Sequence, residues 1–208
     1  MSGFFITGTD TNVGKTVVSA YLMHAFDADY WKPVQSGLDD ETDTEMVRRL
    51  TGLPPERFHL SAYELREPLS PHESARRQGV SISLEAFELP KTRRPLIVEG
   101  AGGVLVPLNG EALVIDLIRR LALPVVLVAR STLGTINHTL LSLEALRMRN
   151  IEIAGVVMNG ERNEANRIAI ETYGKVQVIA EMPILVPLNA ETVASFAKSP
   201  SFRQTAIA

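Results

Sequence analysis

The sequence of 208 residues contains no cysteine. Its absence excludes disulfide bonds, thiolate nucleophiles and cysteine-based zinc sites, and it is compatible with a reducing compartment. Lysine is also scarce, since only five of the 21 basic residues are lysines, at positions 15, 32, 91, 175 and 198. A lysine in a chain that prefers arginine is a candidate for a site that needs a compact point charge, although coding bias explains isolated cases equally well.

Long hydrophobic segments and a large excess of charge are missing too. No apolar run approaches the ~18 residues of a membrane-spanning helix, and the start "MSGFFITG" lacks the basic and apolar regions of a signal peptide. The net charge of -3 provides no basic field for nucleic acid or anionic membranes. With 45% apolar and 22% charged residues the composition is globular. We therefore expect a single cytoplasmic domain, residues 1–208, that binds neither nucleic acid nor membrane.

Several catalytic motifs are absent. The sequence has no H-E-x-x-H zinc motif, no G-x-S-x-G nucleophile turn and no G-x-G-x-x-G dinucleotide fingerprint. The four histidines are scattered along the chain. These absences argue against a zinc protease, a serine hydrolase of that type and a dinucleotide-dependent oxidoreductase.

Short apolar runs alternate with helical segments along most of the chain. The predicted strands are residues 3–8, 29–34, 94–103, 124–130, 151–160 and 176–183, and the predicted helices are 15–26, 45–52, 112–123, 134–150 and 161–174, with a short helix after Pro71. Because the strands are continuous β-branched runs, both faces of the sheet should be covered, and the alternation predicts an α/β fold with a mostly parallel sheet. Residues 58–90 are the least regular part, and residues 199–208 are expected to fray.

Polar residues gather where these strands end. They are residues 8–16, 32–36, 99–103, 130–135, 159 and 181–183. Ligands of parallel α/β sheets bind beyond the carboxyl ends of the strands. These residues are therefore the candidate site.

The stretch "TGTDTNVGKT", residues 7–16, joins the first strand to the first helix. It ends as a phosphate-binding loop does, but five residues rather than four separate Gly8 from Gly14. A helix N-terminus offers free N–H groups and the positive end of a dipole to a phosphate. The context favours phosphate binding over a plain glycine turn, with Lys15 on the β- and γ-phosphates and Thr16 on Mg²⁺.

Acidic and basic side chains at neighbouring strand ends fit the same chemistry. Glu99 ends a buried strand before several glycines and can hold Mg²⁺, which takes one or two carboxylates with phosphate oxygens and water. Lys32 is a second lysine on the same sheet edge, and two ammonium groups suit phosphoryl transfer. Glu99 and Lys32 could each also be an ordinary solvated side chain at the end of a strand. The acidic loop of residues 39–45 offers further candidate metal ligands, and the residue types alone do not distinguish among them.

Six segments taken together resemble one family. "TGTDTNVGKT", "WKPVQSG", "EPLSPH", "VEGAGG", "STLGTINHTLL" and "GVVMN" occur in this order. The set is similar to the dethiobiotin synthetases of biotin biosynthesis, over roughly residues 3–190, and that family's loop also has five residues between its glycines. The resemblance implies the fold of P-loop-containing nucleoside triphosphate hydrolases. It also implies ATP-dependent closure of the ureido ring from 7,8-diaminononanoate and CO₂ or bicarbonate.

The resemblance further implies the site residues. Lys32 and Lys15 would be catalytic, Thr16, Asp43 and Glu99 would hold Mg²⁺, and Ser36, Thr11 and Asn137 would contact the substrate. The implied ATP-binding residues are Asn12, Val13, Gly14, Lys15, Thr16, Val17, Asp43, Glu99, Gly100, Ala101, Gly102, Asn159, Gly160, Pro183, Ile184 and Leu185. The last five of these would frame the adenine. The family works as a homodimer, in which residues 134–137 would cap the substrate carboxylate of the neighbouring subunit.

The chain departs from the family at Asn12, where glutamate is often found. The main rival interpretation is a partitioning or septum-positioning ATPase, which shares the fold. Those proteins carry an extra lysine early in the loop, where this chain has threonine and aspartate, and they tend to have a basic patch or an amphipathic anchor. A cobyrinate-type amide-forming enzyme would need a glutaminase domain, for which 208 residues leave no room.

Overall fold

The computed structural model describes residues 3–198. Strands within this range are β1 Gly3–Gly8, β2 Asp29–Trp31, β3 Val34–Ser36, β4 Phe58–His59, β5 Tyr63–Leu65, β6 Leu96–Gly103, β7 Val125–Arg130, β8 Ile153–Asn159 and β9 Val178–Met182. The α-helices in the same range are α1 Lys15–Phe26, α2 Asp43–Thr51, α3 Pro71–Gln78, α4 Val114–Leu121, α5 Thr135–Arg147, α6 Glu164–Gly174 and α7 Ala190–Ala197.

Seven of these strands form one sheet in the order β4-β2-β6-β1-β7-β8-β9. Every pair of neighbours is parallel. The central strand β1 lies between β6 and β7, so the loop after β1 is flanked by the ends of both neighbours. The predicted parallel α/β fold is confirmed.

Helices cover both faces of the sheet. Successive residues of a strand point to opposite faces, and on β1 Phe4 and Ile6 face one side whereas Phe5 faces the other. The first side is packed with buried residues of α1, α2 and α7, and the second with those of α4 and α5. The sheet is therefore buried on both faces, as the continuous apolar runs predicted.

The predicted strand 29–34 is instead two strands. β2 ends at Trp31, and β3 leaves the main sheet to pair with β5. Pro33 lies between them, and proline has no N–H for a ladder hydrogen bond. Its carbonyl accepts from Ala62 and Tyr63, the latter at the start of β5. The break turns β3 toward the loop side of the sheet, where it helps to line the site.

Two helix predictions need correction. α2 begins at Asp43, two residues before the predicted start, because Thr42 caps it with Glu45 in a reciprocal capping box. α7 was not predicted at all. The expected short helix after Pro71 is confirmed as α3, and the irregular region also contains β4 and β5. The expected fraying of residues 199–208 lies outside the described residues, and the single domain of residues 1–208 stays a prediction.

Between residues 3 and 198, no helix combines the length and the apolar character that crossing a membrane requires.

Candidate active site

The phosphate loop runs from the end of β1 to the start of α1. Gly14 precedes the helix in the left-handed region, with φ of 96°. A Cβ atom built there would lie 2.1 Å from Nδ2 of Asn159, so only glycine fits this position. Asn12 is also left-handed, with φ of 58°, a conformation that asparagine tolerates better than most residues. The Lys15 ammonium donates to the Asp10 carbonyl at 3.1 Å, and the lysine thereby closes the loop on itself.

Asn159 ties the loop to a distant strand. It ends β8, and its Nδ2 donates to the carbonyl oxygen of Val13 at 3.0 Å. Val13 is buried in the core beneath the loop. The loop is therefore held by the end of β8 as well as by its own helix.

A cluster of oppositely charged side chains lies directly beside the loop. The Lys32 ammonium is 2.8 Å from Asp43 Oδ2 and 3.1 Å from Glu99 Oε1, and it donates to the Gly100 carbonyl at 3.0 Å. These three acceptors match its three N–H groups. Lys32 is 3% exposed and Glu99 is 0% exposed. Neither residue is the solvated strand end that its sequence position also allowed.

The pKa values of the cluster follow from burial and from these neighbours. Burial, and then the charge of Lys32, lower the pKa of Lys15. Burial alone would lower the pKa of Lys32, but the carboxylates of Glu99 and Asp43 outweigh it and raise that pKa. Burial alone would raise the pKa of Asp43, but the Lys32 ammonium outweighs this effect and lowers that pKa. At neutral pH Lys32 is therefore charged beside an ionised Asp43.

Oxygen atoms in this cluster converge as a magnesium site requires. Thr16 Oγ1 lies 2.8 Å from Asp43 Oδ1 and 3.1 Å from Glu99 Oε1. A hydroxyl has one proton and can donate to only one of these oxygens at a time, so the other contact is open to a cation. Within residues 3–198 no group of three or more histidine, aspartate or glutamate side chains could hold a metal. The residues present thus fit Mg²⁺ that completes its shell with phosphate oxygens and water.

The loop and the cluster open into one cavity of about 770 Å³. Its lining includes the predicted site residues Thr11, Asn12, Gly14, Lys15, Thr16, Val17, Lys32, Ser36, Asp43, Ala101 and Gly102. The rest of the lining consists of Val34, Met46, Val106 and residues 68–71, most of which are apolar. The cavity therefore combines charged and polar side chains with a group of apolar ones.

Other predicted site residues lie outside this lining. Gly160 follows β8 and donates its N–H to the Met182 carbonyl, beside the start of the segment 183–185. In that segment Ile184 is exposed, whereas Leu185 packs against the core. Asn137 lies in the first turn of α5, is exposed, and does not line the cavity of its own chain.

The sequence analysis did not predict two buried hydroxyls that contact Glu99, nor the apolar residues that line the cavity. Ser19 and Tyr30 donate to Glu99 Oε2 at 2.8 and 3.0 Å. Both had a signal: Ser19 is three residues after Thr16 on the same helix face, and Tyr30 is on the same side of its strand as Lys32. Residues 68–71 of this lining lie within "EPLSPH", one of the segments that carry the family resemblance.

The chain is similar to proteins of known family over nearly its whole length. Residues 2–192 match the family model described as an AAA domain. The chain is 57% identical over 194 residues to the ATP-dependent dethiobiotin synthetase of Paramagnetospirillum magneticum, which covers 93% of this chain and 94% of that protein. It is 50% identical over 199 residues to the protein of that name from Brucella ovis, with 95% and 94% covered.

A solved structure supports the fold. The septum site-determining protein MinD of Pyrococcus horikoshii, complexed with Mg-ADP, superposes with a TM-score of 0.60 over 95% of this chain and 89% of that one. At 14% identity this likeness shows the fold alone.

The sheet, the glycine loop and the family model define a nucleotide-binding protein of the P-loop class. Within that class the chain belongs to the family of ATP-dependent dethiobiotin synthetases. The predicted fold class, the predicted family and the prediction of an ATP-dependent ligase are confirmed.

Proposed function

We propose that this protein carboxylates 7,8-diaminononanoate with CO₂ and closes the ring to dethiobiotin, with ATP converted to ADP and phosphate. The observation that carries the proposal is the contact of Lys32 with Asp43 and Glu99 at the mouth of a phosphate loop. Lys32 and Asp43 of that cluster line a cavity that also has apolar residues in its lining. Charged groups for the phosphates and apolar groups for an aliphatic chain are what this pair of substrates needs.

The nucleotide would lie along the loop. The N–H groups of residues 12–17 would wrap the phosphates, and residues 99–102 would line the space between phosphates and substrate. Asn159 and Gly160 with residues 183–185 would frame the adenine, which is supported by the contact of Asn159 with the loop carbonyl of Val13. Thr16, Asp43 and Glu99 would hold Mg²⁺, which when bound neutralises charge on the phosphates.

Three steps would complete the reaction. One amine of the diamine adds to CO₂ and loses a proton, which gives a carbamate. A carbamate oxygen attacks the γ-phosphorus of ATP, and ADP leaves. The second amine attacks the carbonyl carbon of the resulting mixed anhydride, loses a proton, and phosphate leaves as the ring closes.

The two lysines would neutralise the anions in these steps. Lys15 follows the loop glycine directly and would reach the β- and γ-phosphates. Lys32 holds the carboxylates of Asp43 and Glu99. Once those carboxylates turn to a cation, N–H groups of Lys32 become available to a carbamate or phosphate oxygen. Thr11 and Ser36, which line the cavity, would contact the substrate.

The protein would be located in the cytoplasm.

A homodimer would complete the substrate site. Leu133 is fully exposed, and Leu105 and Leu141 are more than half exposed. The last two line a second cavity that also contains Thr11 and His138. Such exposed apolar residues favour a protein partner. Asn137, on the same helix end, would then contact the carboxylate of the neighbour's substrate. Sedimentation equilibrium should give twice the chain mass, and a monomer at micromolar concentration would contradict the dimer.

The function is tested by phosphate release from MgATP and bicarbonate with and without the diamine. We expect release that depends on the diamine and is matched by formation of dethiobiotin in the mass spectrum. Release that stays at the background rate with the diamine would refute the synthetase proposal. Stimulation by DNA or lipid vesicles instead would favour the switch ATPases that share the fold.

The role of Lys32 is tested by Lys32→Ala, with Lys91→Ala as the matched control, since Lys91 is exposed. We expect Lys32→Ala to cut turnover at least ~100-fold, as the loss of one positioned donor does. The affinity for MgATP, measured by calorimetry, should be largely unchanged in Lys32→Ala. The control Lys91→Ala should keep both turnover and MgATP binding. Loss of nucleotide binding in a folded Lys32→Ala variant would contradict the proposed role on the substrate side.

A further inference from the structure

The two oxygens of the Glu99 carboxylate have different partners. Oε1 lies 3.1 Å from Thr16 Oγ1 and 3.1 Å from Lys32 Nζ, on the side of the cavity. Oε2 accepts from the hydroxyls of Ser19 at 2.8 Å and Tyr30 at 3.0 Å. Both of these residues are 0% exposed, as Glu99 is. One oxygen therefore faces the reacting groups, and the other faces the protein interior.

The two hydroxyls approach Glu99 from different elements. Ser19 is on α1, one turn beyond Thr16, and Tyr30 is on β2, which pairs with β6, the strand of Glu99. Fixed from a helix and from a neighbouring strand, the carboxylate cannot turn about its terminal bond without losing a buried hydrogen bond.

From this geometry we infer that Ser19 and Tyr30 are positioning residues, which occupy Oε2 of Glu99 and leave Oε1 as its single metal-facing oxygen. The inference deepens the proposed function and rests on its assignment of Glu99 as a Mg²⁺ ligand. Side chains that hydrogen-bond a ligating carboxylate orient it and set its affinity for the metal. Neither residue would touch the nucleotide or the diamine, because both act through Glu99.

A merely structural role is the alternative. A fully buried carboxylate needs donors, whatever its function, and the loss of one donor destabilises the fold. The two roles differ in their effect on the metal. Positioning requires that metal affinity falls in the folded variant, whereas a structural role lowers only the melting temperature.

The experiment uses Mn²⁺ as a paramagnetic probe. Free Mn²⁺ is measured by electron paramagnetic resonance in titrations of the full chain with ADP present. We expect Tyr30→Phe and Ser19→Ala each to weaken Mn²⁺ binding about 10-fold, at the lower end of the effect of such partners. Tyr30→Phe keeps the ring that contacts Phe58. Tyr63→Phe is the control, because that hydroxyl accepts from the N–H of Ser83.

Activity gives an independent readout of the same inference. In diamine-dependent turnover the variants should need about 10-fold more Mg²⁺ for half-maximal rate, and kcat at saturating Mg²⁺ should return toward that of the unmodified protein. Mn²⁺ affinity equal to that of the unmodified protein, in variants that melt earlier but are folded, would overturn the inference. Because Mn²⁺ binding with ADP needs no turnover, this failure is distinguishable from absence of synthetase activity.

Discussion

Replacing Lys32 by methionine should destabilise the metal-free protein by about 3 kcal/mol. Breaking a buried ion pair by removing one partner costs about 3–5 kcal/mol, because the other charge is left buried. The lower end applies here, since the Asp43 side chain is 33% exposed and Glu99 keeps three hydroxyl contacts. For a chain of this length each 1 kcal/mol shifts the melting temperature by about 2–4 °C, so the expected drop is about 6–12 °C.

Thermal unfolding followed by circular dichroism in EDTA tests this value. Lys91→Met, at an exposed lysine, should melt within about 1 °C of the unmodified protein, as surface substitutions do. The double variant Lys32→Met with Glu99→Gln removes both charges and should recover at least half of the loss. The reasoning would be refuted if Lys32→Met had the same melting temperature as the unmodified protein, or if the double variant had a melting temperature no higher than that of Lys32→Met.

Three further changes test other parts of the structure. Gly14→Ala should abolish ATP binding in calorimetry because its Cβ meets Asn159 Nδ2 at 2.1 Å, whereas Gly110→Ala, with nothing within 4 Å, should bind normally; equal binding by both would contradict this. Asn159→Ala should weaken the binding of pyrophosphate as well as that of ATP, because Asn159 holds the loop. Weaker binding of ATP alone would instead limit the role of Asn159 to contact with the adenine base. At Asp29 burial raises the pKa, but hydrogen bonds from Thr92 and Arg57 outweigh it and lower the pKa below 3.8. The stability that this gives is present above pH ~4 and lost at lower pH, so in urea unfolding Asp29→Asn should remove part of the acid dependence between about pH 5 and 2, and an unchanged dependence would be evidence against it.

Local patterns were enough for the core of the site. The loop, Lys15 and Thr16 are contiguous with a strand and a helix, so their placement followed from a short stretch of chain. Glu99 and Lys32 were predicted from their positions at the ends of apolar runs, and the strand ends of a parallel sheet share one edge. In the structure Glu99 lies within β6 and Lys32 directly follows β2. The pairing of β3 with β5 outside the main sheet and the early start of α2 were not predicted, although the Thr42 cap is visible in the sequence.

The choice among the acidic residues of the loop 39–45 needed the fold. Asp43 contacts Thr16, whereas Glu41 pairs with Arg49 and Glu45 caps α2. The resemblance had already named Asp43, but no feature of spacing distinguished it. The contact forms because α2 packs against α1 through buried residues such as Val47 and Leu50, which brings its first residue to the loop.

The sequence by itself determined the main alternation of strands and helices, the phosphate loop and the family, because these depend on neighbours along the chain. Only the tertiary structure decided which side chains surround Glu99. Thr16 is 83 residues away from Glu99, Ser19 is 80 and Tyr30 is 69. Such contacts depend on the strand order and on the packing of α1 over the sheet, which residue spacing does not encode. The burial of Glu99 and the different partners of its two oxygens therefore follow from the assembled sheet and not from its position in the sequence.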